Sequence, residues 1–178
     1  MIEEWVKTAL DFGFEAAAPL DISTLKLLPE VRDMCASDKC HMYGKNWSCP
    51  PGCGTLEECS SQIKPYTMGI VVQTKGEIED SFDFEGMKEI EKEHQERFIK
   101  LADELRKSYR QVLPLGTGCC TQCNSCTYPD SPCRLPEKRI SSMEAYGLLV
   151  SQVCSDNQLP YYYGEGTIAY TSCFLLDL

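Results

Sequence analysis

Four cysteines, Cys120, Cys123, Cys126 and Cys133, form the clearest chemical pattern in the chain. The first three follow one another at intervals of three residues, and the fourth comes after six intervening residues. A four-iron four-sulfur cluster needs four soft thiolate ligands, and a ferredoxin-type run supplies them from one short loop. Zinc also accepts four thiolates, but its usual pattern is two cysteine pairs separated by a longer spacer. The spacing therefore favours a 4Fe-4S iron-sulfur cluster in a ferredoxin-like loop over residues 118–136.

A second group of thiols lies earlier, in a loop predicted over residues 34–61. It contains five cysteines within 25 residues: Cys35, Cys40, Cys49, Cys53 and Cys59. Gly, Pro, Asn and Ser crowd this segment, so little regular secondary structure is expected. Ordering such a loop costs conformational entropy, which a bound metal would offset. We therefore predict a second 4Fe-4S cluster here. Its predicted ligands are Cys35, Cys40, Cys49 and Cys59, with Cys53 as the alternative fourth ligand.

Side chains beside these cysteines could bind or tune the clusters. The guanidinium of Arg134, next to Cys133, could donate to a cluster sulfide and raise the reduction potential, or it could pair with a surface carboxylate. Tyr43 and Trp47, in the first loop, could shield a cluster from water or pack the loop against the core. His41 is a conceivable nitrogen ligand, but five nearby thiols favour a peripheral role for it.

Other reactive side chains are expected to have plainer roles. Cys119, adjacent to Cys120, is a spare thiol, a neighbour of the cluster or a competitor for ligation. Cys154 and Cys173 fall in a predicted helix and strand, where small core residues are expected. His94 lies among charged residues of another predicted helix, which favours its solvated face.

Composition limits the kinds of partner. The chain has 17 basic and 27 acidic residues, a formal charge of -10, which repels phosphates and anionic lipids. We therefore expect no nucleic acid or membrane partner, whereas a basic surface on a redox partner protein would suit this charge. Residues 1–20 contain no long apolar run, so neither a signal peptide nor an anchor is expected. Twelve cysteines would then meet a reducing pool, which predicts a cytoplasmic metal-binding protein.

The elements that must position the cysteines can be predicted from periodicity. A length of 178 residues suits a single domain over 1–178. Helices are predicted over 2–13, 87–109 and 141–154, the last from the capping-box spacing of Ser141 and Glu144. Strands are predicted over 14–20, 68–74, 112–115 and 166–176. Strands separated by helices predict an α/β fold, a single compact domain with a small sheet flanked by helices and two cysteine-rich metal loops, one ferredoxin-like.

Several motifs together resemble a known family. They are Cys40-His41-Met42-Tyr43-Gly44, Cys49-Pro50-Pro51, the ferredoxin-like run, Cys133-Arg134-x-Pro136, Ser142-Met143-Glu144-Ala145-Tyr146-Gly147 and Tyr161-Tyr162-Tyr163-Gly164. The combination resembles a family of predicted metal-binding, cysteine-rich proteins, described as a domain of unknown function and found largely in anaerobic bacteria and archaea. The resemblance implies metal binding rather than an assigned reaction. Family members tend to occur in organisms rich in corrinoid and methyl-transfer metabolism, which is compatible with a redox accessory role there.

Three functions are compatible with these patterns. The first is electron transport, in which two clusters pass electrons to a redox partner in anaerobic metabolism. The second is an iron-sulfur enzyme whose first cluster has an open iron that binds substrate, assisted by His41, Tyr43 or Lys45. The surplus of cysteines in the first loop argues against an open iron. The third is a structural zinc module that binds another protein, and iron content separates it from the other two.

Overall fold

The computed structural model describes residues 1–177, over which five strands form one mixed sheet. The strands are β1 Ala16–Leu20, β2 Met68–Glu77, β3 Gln111–Gly116, β4 Ser141–Ser142 and β5 Thr167–Asp177. Their order across the sheet is β1-β2-β5-β3-β4. Neighbouring strands are antiparallel from β1 to β3, and β3 and β4 are parallel.

Five α-helices flank the sheet within residues 1–177, which confirms the predicted α/β fold with a small sheet and flanking helices. They are α1 Ile2–Asp11, α2 Pro29–Ala36, α3 Leu56–Ile63, α4 Phe84–Ser108 and α5 Val150–Asp156. Local signals fix their ends: Pro29 opens α2, a Thr55–Glu58 capping box opens α3, and the Asp83 carboxylate caps α4. Among the described residues, no helix combines the length and hydrophobicity that a membrane crossing requires.

Alternating apolar residues bury both faces of the sheet. Ile70 and Val72 of β2, with Phe174 and Leu176 of β5, belong to a core that packs under α1 and α4. The intervening positions, such as Val71, belong to a second core with α3, α5 and the segment around 143–148. Successive residues of a strand point to opposite faces, so near-continuous apolar runs are what a sheet covered on both sides requires.

His94 of α4 is fully buried at 0% exposure, so the prediction of a solvated His94 was wrong. Its Nδ1 lies 2.8 Å from Thr74 Oγ1 and its Nε2 lies 2.7 Å from Ser172 Oγ. The rings of Phe14 and Phe98 lie against the imidazole. Both ring nitrogens are hydrogen-bonded, which allows a polar side chain to lie in the apolar core. Burial lowers the pKa of His94 to about 3, so the imidazole is neutral at physiological pH.

The helix predicted from Ser141 to about Cys154 was also wrong over its first half. Ser141 and Ser142 form β4, and a 3-10 turn follows over Glu144–Tyr146. The Ser142 hydroxyl accepts the Ala145 N–H at 3.0 Å, so it caps this turn rather than an α-helix. Gly147 then adopts φ +77°, a left-handed conformation that ends helical structure and favours glycine. The helix α5 begins only after this break.

Candidate metal centres

The four cysteines of the ferredoxin-like loop line one small cavity in the long connection between β3 and β4. The cavity has a volume of about 50 Å³, and Cys120, Cys123, Cys126 and Cys133 lie in its wall. Cys126 is exposed and the other three thiols are partly buried. One loop therefore gathers four thiols around one cavity, with one of the thiols open to solvent.

Hydrogen bonds within the ferredoxin-like loop hold its shape in the absence of regular structure. The Thr127 hydroxyl donates to the Pro132 carbonyl at 2.8 Å. The Arg134 guanidinium, which also lines the cavity, donates to the Ser125 carbonyl at 2.5 Å. Arg134 is thus bound to the backbone of the loop that carries the cysteines. Its position beside the four thiols leaves its charge close to whatever they hold.

Trp47 lines the cavity of the ferredoxin-like loop, although it belongs to the first cysteine loop. Its backbone N–H donates to Cys126 Sγ at 3.5 Å, and its indole N–H donates to the Ser131 carbonyl at 3.0 Å. The indole also meets the Tyr128 ring edge-on, with centroids 4.8 Å apart. A backbone N–H aimed at a ligand sulfur is one of the contacts by which proteins tune metal centres.

Ser48 and Cys120 join the two cysteine loops. The Ser48 hydroxyl accepts the Cys120 N–H at 2.9 Å and donates to Asn46 Oδ1 at 2.5 Å. Ser48 is 1% exposed, so this bond is protected from water. Near this bond, Gly52 packs closely against Asn46 of the first loop and Tyr128 of the second. A Cβ at Gly52 would lie 2.5 Å from the Asn46 carbonyl oxygen and 3.0 Å from Tyr128, so a larger residue would force the loops apart. The backbone around Cys49 is therefore fixed against the backbone around Cys120.

A larger cavity, of about 640 Å³, lies on the other side of this junction. Four cysteines line it: Cys35, Cys40 and Cys49 of the first group, and Cys119. Cys35 comes from the last turn of α2 rather than from a loop, because Pro29 starts a helix that reaches Ala36. Burial raises the pKa of the Cys35, Cys49 and Cys119 thiols. Metal binding at these thiols would therefore release protons.

Polar and apolar groups complete the wall of the larger cavity. Glu91 and Gln95 come from α4 and Glu144 from the 3-10 turn, while Tyr43 stands at 37% exposure. Partial burial raises the pKa of the Glu91 carboxyl group. The Cys35 thiol donates to the Glu144 carbonyl at 3.8 Å. The larger cavity thus combines thiols, which can bind a metal, with polar groups that can hydrogen-bond a small molecule.

Cys59 and Cys53 lie apart from the wall of the larger cavity. Cys59 sits in α3 at 0% exposure and packs into the second core. Its Sγ lies 3.8 Å from Arg32 Nη1. The hydrogen bond with Cys53 lowers the pKa of Cys59 and raises that of Cys53, and the guanidinium lowers the pKa of Cys59 further. Arg32 also donates to the carbonyls of Gly54 and Ala145. The structure therefore does not bring Cys59 to Cys35, Cys40 and Cys49.

The remaining predicted residues are placed simply. His41 is exposed and lines neither cavity. Cys154 and Cys173 are fully buried, which confirms the prediction that they are core residues. Cys119 lines the larger cavity, a role that the sequence alone leaves open. The sequence signal for it is the pair of adjacent cysteines, because two neighbouring thiols can line two different cavities.

No three His, Cys, Asp or Glu side chains within residues 1–177 converge as they would around one metal ion. The cysteines line the walls of the two cavities.

Comparison with known proteins gives one family and no individual relative. No curated protein and no solved structure matches the chain. A family model for predicted metal-binding proteins matches residues 18–176, a range that contains all twelve cysteines and the walls of both cavities. The match confirms the resemblance noted from the cysteine motifs. The chain belongs to the DUF2284 family of predicted metal-binding proteins.

Proposed function

We propose that this protein binds two four-iron four-sulfur clusters and acts as an electron carrier for a redox partner protein. One observation carries the proposal: each of two cavities is lined by four cysteines. Four thiolates are the ligand set of a cubane cluster, and each cluster, when bound, supplies a reversible one-electron couple. Adjacent residues line the two cavities at the junction between the cysteine loops, so electrons could enter at one centre and leave at the other.

The cavity of the ferredoxin-like loop offers the four thiol ligands that a cluster needs. The ligands are Cys120, Cys123, Cys126 and Cys133, and the Trp47 N–H is already directed at one of these sulfurs. Arg134 adds a positive charge that favours the reduced, more negative state of the centre. Exposure of Cys126 provides the surface edge that transfer to a partner requires. These contacts support a redox role over a purely structural zinc module.

The protein is proposed to act in the reducing cytoplasm of an anaerobic organism, where exposed iron-sulfur centres persist. The formal charge of -10 would steer the protein toward a basic surface on its redox partner. A link to corrinoid or methyl-transfer systems follows from the family resemblance alone. The chemistry of the cavities is equally suited to any acceptor of single electrons.

The size of the larger cavity favours a second candidate function, that of an iron-sulfur enzyme. Its volume of about 640 Å³ falls in the range of small-molecule pockets. Glu91, Gln95 and Glu144 line it beside the thiols, and they could orient a polar substrate. This candidate requires one iron of the first cluster to lack a cysteine ligand and to bind the substrate instead.

Reductive titration separates the two candidates. An electron carrier should accept about two electrons per chain, one for each cluster, and return them to an acceptor dye. Paramagnetic resonance should show two signals that cyanide or imidazole leaves unchanged. A first-cluster signal that shifts with either small ligand would favour the enzyme. Absence of any reversible electron uptake by metal-loaded protein would contradict both candidates.

A further inference from the structure

We propose that Cys119 is the fourth ligand of the first cluster, beside Cys35, Cys40 and Cys49. The inference rests on the proposed function, and it replaces Cys59 in the ligand set expected from sequence. It also closes the first site with four thiolates, all supplied by this chain. The first centre then draws its ligands from both cysteine loops.

The walls of the two cavities divide the adjacent cysteines between them. Cys119 lines the larger cavity and Cys120 lines the cavity of the ferredoxin-like loop. Neither residue lines the cavity that the other serves as a proposed ligand. The two adjacent cysteines are therefore divided between the two cavities. Gly118, with φ +62°, makes the turn that delivers this pair after β3.

The bond between Ser48 and Cys120 fixes the position of Cys119 relative to Cys49. Ser48 directly precedes Cys49, and the Cys120 N–H belongs to the peptide group that follows Cys119. This hydrogen bond, of 2.9 Å, sets two cysteines of different loops side by side at the same cavity. The Ser48–Asn46 bonds are buried and hold the hydroxyl in place. Cys119 is thus held beside Cys49, at the cavity that Cys35 and Cys40 also line, by contacts outside the thiols themselves.

Cys59 is held away from the larger cavity. It lies in the second turn of α3, and the capping box at Thr55 and Glu58 fixes the start of that helix. Its side chain packs into the sheet core at 0% exposure, with Arg32 beside its sulfur. Moving it to the cavity would expose core surface and break the contacts of Arg32. Cys119 needs no such rearrangement, because it already lines the cavity.

Ligation by Cys119 would join the two centres through a single peptide bond, that between Cys119 and Cys120. In two-cluster ferredoxins one cysteine of a run likewise serves the other cluster. The shared segment would bring the clusters next to each other. Electrons could then pass from one centre to the other within the chain, which is the arrangement that a two-centre carrier requires.

Cys119→Ser and Cys59→Ser, each loaded without oxygen, test the assignment. In Cys119→Ser, iron should fall from about eight to between about four and seven per chain, as the first cluster is lost or becomes a three-iron form. The signal of the second cluster should remain, and it reports that the variant has folded. Cys59→Ser should keep about eight irons, since its sulfur is not a ligand. A loss of iron confined to Cys59→Ser, or no loss in either variant, would overturn the assignment.

A measurement on the wild-type protein avoids any folding defect of the variants. Iodoacetamide followed by peptide mapping should leave Cys119 unmodified in the loaded protein and modify it after iron is chelated. Modification of Cys119 in fully loaded protein would overturn the assignment while leaving the two-cluster function intact. Wild-type protein that holds zinc and no sulfide would instead overturn the proposed function itself.

Discussion

Cys123→Ser is expected to remove about half of the bound iron and sulfide while the first cluster stays loaded. Cys123 is the second cysteine of the ferredoxin-like run, and it lines the cavity of that loop but not the larger cavity. Serine is a poorer ligand for iron than thiolate, so the cluster held by this loop should be lost. The iron of the first site depends on other residues. Iron and sulfide per chain, with the paramagnetic resonance spectrum, measure the outcome.

Cys154→Ser is the matched control for Cys123→Ser. Cys154 is a buried cysteine of α5 that lines neither cavity; its Sγ accepts a weak hydrogen bond from Gln73 Nε2 and donates one to Thr171 Oγ1. A serine can keep such contacts, so full iron content is expected in this variant. Loss of all iron from folded Cys123→Ser would contradict separate sites and would show that the two groups hold one cluster.

The stability of the wild-type core is expected to fall with acidity because of His94. The folded-state pKa of about 3 lies below the ordinary value of 6.5, so the unfolded chain binds a proton first as pH falls. Above pH 6.5 the imidazole is neutral in both states and contributes no pH dependence. Below it, stability should decline by about 1.4 kcal/mol per pH unit until the folded state also binds the proton.

Urea unfolding of metal-free, reduced protein between pH 6.5 and 4.5 measures the effect of His94. The loss of stability in wild type should exceed that in His94→Gln by roughly 2–3 kcal/mol over this interval. His41→Gln is the matched control, because His41 is exposed, and it should lose stability as wild type does. Equal losses in wild type and His94→Gln would contradict a neutral buried imidazole.

The sheet and its main helices could be predicted because their signals are local. The β-branched run in β2 and the spacing of apolar residues in α4 reflect periods of two and 3.6 residues that single segments carry. Strand order could not be predicted, since pairing such as β2 with β5 joins residues about 100 positions apart. The placement of β5 between β2 and β3 depends on tertiary packing that no local pattern encodes.

The errors over α5 and His94 have the same origin. The Ser141–Glu144 spacing is a correct local signal for a helix start, but pairing with β3 and the left-handed Gly147 override it. His94 has charged neighbours in sequence, and its hydrogen-bond partners Thr74 and Ser172 lie on two distant strands. A side chain that depends on remote partners cannot be assigned to the core from its own helix.

The candidate ligands differ in the same way in how far the sequence predicts them. The four thiols of the ferredoxin-like loop could be grouped from sequence because they are close along the chain. The ligands of the first site could not be grouped in this way. Cys35 lies on α2 and Cys59 on α3, and of these two only Cys35 lines the larger cavity. Cys119 comes from the other loop, through a junction at Ser48 that has no sequence signature.

Iron, acid-labile sulfide and zinc measured on one sample purified without oxygen test the central claim most directly. Two cubane clusters require about eight irons and about eight sulfides per chain, with zinc absent in significant amount. Such protein should be brown and should lose its colour as the clusters are reduced. Two zinc ions per chain with no sulfide would contradict the claim, because the same cysteines would then hold single structural ions.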